Sequence, residues 1–340
     1  MGPLPARHSP GEQLTTRTRS FRPSRLRLLG AATFILASAS PGAATLAQGT
    51  ERGVWNLYAD TSGHRVQLSF ERYDNDRRSG MTSFGVAPQE LRGLTDSQLR
   101  AGNGNVHFQL VRDAGTFDFD GQIRDAHGTG FFTFEPNARF PQELAARGYE
   151  RPTADQQFWL ALHDIGYAFV DELRADGYDR PSVQQLVVMG MHGANLAYVR
   201  SLKAAGYRVN DTRRLVMLRD HGVDARFIGG LSNVGYTRLS LDDLLTLRDH
   251  GVTPDFIVAL RSFGFSGLTP DQLLEARDHG VTDSFIRGFR ELGYKDVTLG
   301  DFVRLRDHGV SAEYARDRRE SEGRLLAVNE LIRRRDRGER

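Results

Sequence analysis

The sequence predicts an α+β protein, a small antiparallel β domain followed by an α-solenoid of 29-residue two-helix repeats. Two observations carry this. LRDHGV occurs at 218–223, 247–252 and 305–310, with ARDHGV at 276–281, always 29 residues apart, and a fixed period of this size marks a stacked repeat. Residues 53–135 instead alternate apolar and polar, the pattern of strands with one buried face.

The chain opens on a segment that reads as a signal peptide, residues 1–47. Arg17, Arg19, Arg22, Arg25 and Arg27 precede the apolar run Leu28 to Ala37, and the small residues Ser38, Ala39, Ser40, Ala43 and Ala44 follow. Basic, apolar, then small is the order of a secretory leader, with cleavage expected after Ala47. The run is too short for an ordinary membrane helix, so no stable membrane span is expected after cleavage. An exported protein, periplasmic or extracellular, is the expectation. Residues 1–47 hold no adjacent Arg pair, which argues against a twin-Arg route.

Composition narrows the function classes. The 340 residues carry a formal charge of +2, but residues 1–47 hold six Arg and one acidic residue. The remainder has 39 basic against 42 acidic residues, so nucleic acid is not an expected partner. Only Lys203 and Lys295 among the basic residues are Lys. Cys is absent, which excludes disulfides, thiolate metal sites and Cys nucleophiles.

The β domain spans 53–136. Val66, Leu68 and Phe70 alternate with polar neighbours, as do Val106, Phe108 and Leu110, then Phe117, Phe119 and Ile123, then Phe132 and Phe134. Six strands are expected near 54–60, 64–73, 79–86, 104–113, 116–124 and 129–135, with turns at Ser62-Gly63, 74–80, Ala114-Gly115 and His127-Gly128. Pro88 can start a short helix in the interruption at 88–101, and Thr95 with Gln98 can cap a second.

The solenoid spans 137–322. Helix A of each repeat opens on Thr153, Ser182, Asp211, Ser240, Thr269 or Thr298, whose side chains accept from an orphan N–H at a helix start. It should end at a His followed by a left-handed Gly. In the 247–252 copy Leu247 and Val252 are then the hydrophobic pair of a Schellman stop. Helix B opens on Asn137, Asn195, Asp224, Thr253, Thr282 or Ser311 and stops at a Gly-aromatic pair, where Leu260 meets Phe265. The columns Phe140, Phe169, Tyr198, Phe227, Phe256, Phe285, Tyr314 and Leu144, Leu173, Leu202, Leu231, Leu260, Phe289 lie on one helical face. No repeat this short buries that face alone, so stacking must. A lone helix B directly follows the last strand, so sheet and solenoid should form one body. Residues 323–340 read as a capping helix with a basic tail.

His163, His192, His221, His250, His279 and His308 form a column. Packed helices lie about 8–10 Å apart and zinc ligands must reach within about 2.1 Å of one ion, so neighbouring His cannot easily share a metal. Helix C-caps are the expected role, with no metal and no cofactor. Pairs such as Arg248-Asp249 should form a surface charge ladder. In the β domain, Asp118 and Asp120 share one strand face, and His64, His107 and His127 are the residues from which a site there would be built. The signatures HExxH, GxSxG and the Walker loop are absent.

FTFEPN at 132–137, GYERPT at 148–153 and the RDHGV copies together resemble uncharacterised exported bacterial proteins with 29-residue RDHGV-type helical repeats. The repeats are also similar to the extracytoplasmic tails of some sensor metallopeptidases of the beta-lactam-receptor class. The resemblance covers about 128–310 and implies the repeat fold and an extracytoplasmic location. The peptidase domain is absent here, so no peptidase activity is implied.

The functional expectation is a non-catalytic binding or scaffold protein that engages a protein or peptide through its repeat surface. The candidate contacts lie in the variable loops after the Gly-aromatic pairs: Asp179, Arg180, Arg208, Asn210, Thr237, Arg238, Ser266, Lys295 and Asp296. The alternative is a hydrolase or ligand-binding enzyme with its site in the β domain, favoured if His64, His107 and an acidic residue share a pocket.

Overall fold

The computed structural model describes residues 51–59, 66–74 and 77–339. The expected leader over 1–47 and His64 lie outside the described residues.

Alternation produces the strands where it was expected: β1 (Glu51–Ala59), β2 (Val66–Asp74), β3 (Arg77–Val86), β5 (Asn103–Arg112), β6 (Gly115–Arg124) and β7 (His127–Pro136). A two-residue β4 (Leu91–Arg92) adds an edge. The order is β3-β2-β1-β7-β6-β5-β4, all antiparallel, so the first strand lies between the second and the last. A 3-10 turn at Pro88–Glu90 and α1 (Asp96–Ala101) fill the interruption, the latter capped by Thr95 with Gln98.

The sheet curls around its aromatic face. Phe70 on β2 packs 5.3 Å from Phe117 and 5.4 Å from Phe119 on β6, although β1 and β7 lie between those strands. Trp55 is fully buried, and its Nε1 donates to the carbonyls of Asp120 (3.2 Å) and Phe131 (3.1 Å). Gly121, Gly128 and Gly130 make room for the indole, since a Cβ on any of them would stand within 2.8 Å of it. Alternation alone does not reveal that requirement.

The A helices are α3 (Ala154–Leu162), α5 (Val183–Met191), α7 (Thr212–Asp220), α9 (Leu241–Asp249), α11 (Pro270–Asp278) and α13 (Leu299–Asp307). The B helices are α2 (Phe140–Ala146), α4 (Tyr167–Ala175), α6 (Leu196–Ala204), α8 (Ala225–Asn233), α10 (Pro254–Ser262), α12 (Asp283–Glu291) and α14 (Ala312–Glu322). Every expected A-helix cap accepts from the backbone N–H three residues on. The Schellman stops form as expected. Val252 N–H bonds Leu247 O (2.8 Å) and Gly251, at φ 70, bonds Arg248 O (3.1 Å). Phe265 N–H bonds Leu260 O (3.2 Å) at the end of α10.

Two helices at the junction with the sheet depart from the pattern. α2 starts at Phe140 rather than just after Asn137. Pro141 has no N–H to return to the Asn137 carbonyl, and Phe140 N–H closes a tighter turn on it instead (3.0 Å). At α4 the cap position is Gly166, which has no side chain, and Asp113 from the β5–β6 turn accepts from Tyr167 N–H (2.8 Å). A residue of the sheet thus caps a helix of the solenoid.

α3 completes the continuity of the two parts. Phe158 is fully buried against Phe117 and Phe134, each at 5.3 Å. The buried Gln157 donates through Nε2 to Ala114 O and Asn137 O, both at 3.1 Å. Arg72 of β2 lies 4.4 Å over the Phe158 ring and pairs with Asp155 (2.9 Å).

At the far end, α15 (Val328–Asp336) is more than a generic cap. It sits 29 positions after α13 and repeats the A-helix register: Leu331 and Ile332 are buried, and Arg335-Asp336-Arg337-Gly338 overlies RDHG with Arg in the His position.

Candidate partner-binding edge

Each solenoid hairpin has two edges. One carries the RDHG turns, between helix A and helix B. The other carries the loops that follow the Gly-aromatic pairs.

The RDHG edge is consumed by the fold. Each His is the C-cap residue of its helix, as expected, but from His192 onward its ring reaches into the next repeat rather than to its own carbonyls. Nδ1 donates to the Asp 28 positions later: His192 to Asp220 (2.7 Å), His221 to Asp249 (2.6 Å), His250 to Asp278 (2.6 Å), His308 to Asp336 (2.8 Å), and His279 to Asp307. An ionised carboxylate only accepts, so the proton sits on Nδ1. The bond to Asp307 raises the pKa of His279 above its ordinary value.

The expected Arg–Asp charge ladder is corrected here. Asp takes the His of the preceding repeat, and the adjacent Arg lies over that repeat's aromatic ring. Arg219 stands 5.1 Å from the Tyr198 centroid, Arg248 5.0 Å from Phe227, Arg277 5.2 Å from Phe256, Arg306 4.5 Å from Phe285 and Arg335 5.2 Å from Tyr314. A guanidinium over a ring face is attracted by the ring quadrupole. Arg, Asp and His of one turn therefore all bind neighbouring repeats, while Gly supplies the positive φ.

The ladder has chemical ends. Gly190 and Met191 stand where later repeats have Arg and Asp, so His163 gains no carboxylate. It packs against Trp159 at 6.1 Å, and burial pushes its pKa down to about 4. At the other end Arg337 replaces the next His. Among the described residues no three His, Cys, Asp or Glu side chains gather as a metal-ligand set.

The loop edge is organised differently. A second series of bonds holds its backbone. Arg261 donates to Val234 O, Arg290 to Phe263 O (3.3 Å) and Arg319 to Leu292 O (3.2 Å), each reaching back one repeat. The Tyr236 hydroxyl donates to Leu268 O (2.7 Å) and the Tyr294 hydroxyl to Leu326 O (2.8 Å).

On that backbone all nine candidate residues are exposed: Asp179, Arg180, Arg208, Asn210, Thr237, Arg238, Ser266, Lys295 and Asp296. Arg180 is engaged by its neighbour, donating to Gly148 O (3.1 Å). Among the described residues the side chains of the other eight make no hydrogen bond or ion pair. Thr237 and Arg238 line a depression of about 500 Å³ with Gly206, Tyr207, Ile228 and Leu239. Tyr207 is half-buried in its wall, and desolvation raises its pKa. A separate apolar groove of about 220 Å³ lies between α5 and α7, lined by Val188, Met189 and Val216.

Of the β-domain residues from which a site would be built, His64 lies outside the described residues. His107 on β5 bonds Asp120 on β6 (2.9 Å), but both are largely exposed on the open outer face. His127 lies elsewhere on that face, against Tyr58 at 5.0 Å. Asp118 accepts from Gln109 (2.5 Å), so the two carboxylates serve different partners.

No protein-family model, curated protein or solved structure matches this chain. No helix of the described residues is long and apolar enough to cross a membrane.

Proposed function

We propose that this is an exported, non-catalytic binding or scaffold protein that holds a protein or peptide partner along the loop edge of its solenoid. The observation that carries the reading is the depression of about 500 Å³ between the Tyr207 loop and the Thr237–Arg238 loop. It combines an apolar wall from Tyr207, Ile228 and Leu239 with exposed polar side chains that the fold leaves unpaired. Apolar lining with a few polar groups is how pockets recognise ligands. On the Thr237–Arg238 side, the bond from Arg261 to Val234 O already holds the start of the loop, so less ordering is lost there on binding, and preorganisation of this kind favours affinity. The resemblance to exported RDHGV-repeat proteins and the basic-apolar-small leader support the extracytoplasmic location.

The test is photo-crosslinking in intact cells. A photoreactive amino acid at Thr237 should capture a discrete partner in the cell envelope or medium. The same residue at Asp255, exposed on the RDHG edge, should not. Equal capture from both positions, or capture from Asp255 alone, contradicts the assignment.

A further inference from the structure

The outer face of the sheet is a patterned surface that the solenoid reading does not use. Its side chains stand in cross-strand rows. Gln67, Tyr58, His127 and Arg124 form one row across β2, β1, β7 and β6. Ser69, Asn56, Thr129 and Gln122 form the next, and Phe131 stands in the third. An open depression of about 680 Å³ lies over the first two rows.

Two aromatic rings on this face are turned to solvent, Tyr58 lining the depression and Phe131 one row beyond it. Phe131 is 72% exposed and Tyr58 48%, whereas every other Phe of this sheet with described burial is at least partly shielded in the core. They sit on neighbouring strands, four residues out of register, roughly 13 Å apart along the strand direction. Between them, Asn56, Thr129 and Gln122 are exposed, and their side chains make no hydrogen bond among the described residues.

This chemistry selects one class of ligand. Arg124 and Asp125 offset each other, so the face has no excess charge to attract a polyanion. The four strands that carry the rows, β2, β1, β7 and β6, are each paired on both sides, so a peptide strand finds no free backbone ladder there to extend. What remains is ring faces for C–H groups, and amides and hydroxyls that donate and accept at once. A polyhydroxylated chain with alternating C–H faces and hydroxyl edges matches both. The platform is broad and shallow, which suits the flat ribbon of equatorially linked sugars and not a helical glucan.

We propose that this outer face binds a neutral β-1,4-linked oligosaccharide, with Tyr58 and Phe131 stacking on sugar rings and Asn56, Thr129 and Gln122 bonding the hydroxyls between them.

The test is calorimetric titration of the full chain with cellohexaose, chitohexaose and maltohexaose. At least one β-1,4-linked hexasaccharide should bind. Phe131→Ala and Tyr58→Ala should each weaken it about ten-fold, the size of one lost aromatic contact. Gln122→Ala should weaken it as well, and the melting temperature of all three variants should stay at the wild-type value, because these side chains are exposed. Maltohexaose should bind at least about ten-fold more weakly. The proposal is overturned if neither β-1,4 hexasaccharide binds, if binding survives the Tyr58→Ala, Phe131→Ala double variant, or if maltohexaose binds equally well.

Discussion

Leu260→Ala probes how the solenoid is held together. Leu260 is 1% exposed, and it is the position where the Schellman stop of α10 meets Phe265. The change removes three carbons, each worth about 0.8 kcal/mol of transfer free energy. The cavity left behind brings the expected cost to about 2–5 kcal/mol. Its distribution matters as much as its size. α10 packs on α8 and α12, and in a stacked repeat each unit contacts only its neighbours. Urea unfolding followed by circular dichroism gives the total loss, and native-state hydrogen exchange gives its location. Protection should fall most in α8, α10 and α12, with β1, β7 and α3 exchanging nearly as in the wild type. A loss under about 1 kcal/mol, or an equal loss of protection in the sheet, would refute the nearest-neighbour reasoning.

Three further predictions follow from the junction and the ladder. Gln157→Leu should cost about 2 kcal/mol, because it leaves the carbonyls of Ala114 and Asn137 without their shared donor, and urea unfolding should show it. His279 has a raised pKa, so its rung stabilises fully below the ordinary imidazole value of about 6.5 and the gain is lost as pH rises through the raised value. The melting-temperature gap between wild type and His279→Ala should therefore shrink from about pH 6 to pH 8.5, and a gap that widens over this range would sink the assignment. His163 is the opposite case: its pKa is pushed down to about 4, so its neutral form favours the fold above the ordinary value and that stability is lost as pH falls toward 4. Met191→Asp supplies the carboxylate that the first rung lacks and should raise the His163 pKa in an NMR titration. An unmoved titration would show that ladder geometry does not extend to this repeat.

Much of the solenoid was legible because its signals are local. A Thr or Ser cap acts three residues ahead, and a Gly stop closes on carbonyls three and five residues behind. What escaped depends on distant partners. Asp113 caps α4 from 54 residues away, and no helix-start rule reaches that far. β4 is two residues long, too short for alternation to show. The helix at the C-terminal end was expected, but its A-helix register was hidden by substitutions in the signature, with Ala327 at the cap position and Arg337 at the His position. The His–Asp rung was present in the arithmetic: the Asp column stands one place before the His column, so a 29-residue repeat pairs His with an Asp 28 positions on. Reading each His against its own neighbouring Asp concealed this. The candidate loop residues were found as variable positions, but the depression beside Thr237 required the spatial approach of two loops.

The most direct measurement of the central claim is the affinity of the crosslinked partner for a loop-tip variant. Arg208→Glu, Thr237→Glu, Arg238→Gly and Lys295→Glu together change four exposed, unpaired side chains. Gly accommodates the φ of 58 at position 238. Binding along the loop edge predicts an unchanged melting temperature and at least about a ten-fold loss of affinity. Wild-type affinity in the variant would contradict it and leave the solenoid as a spacer.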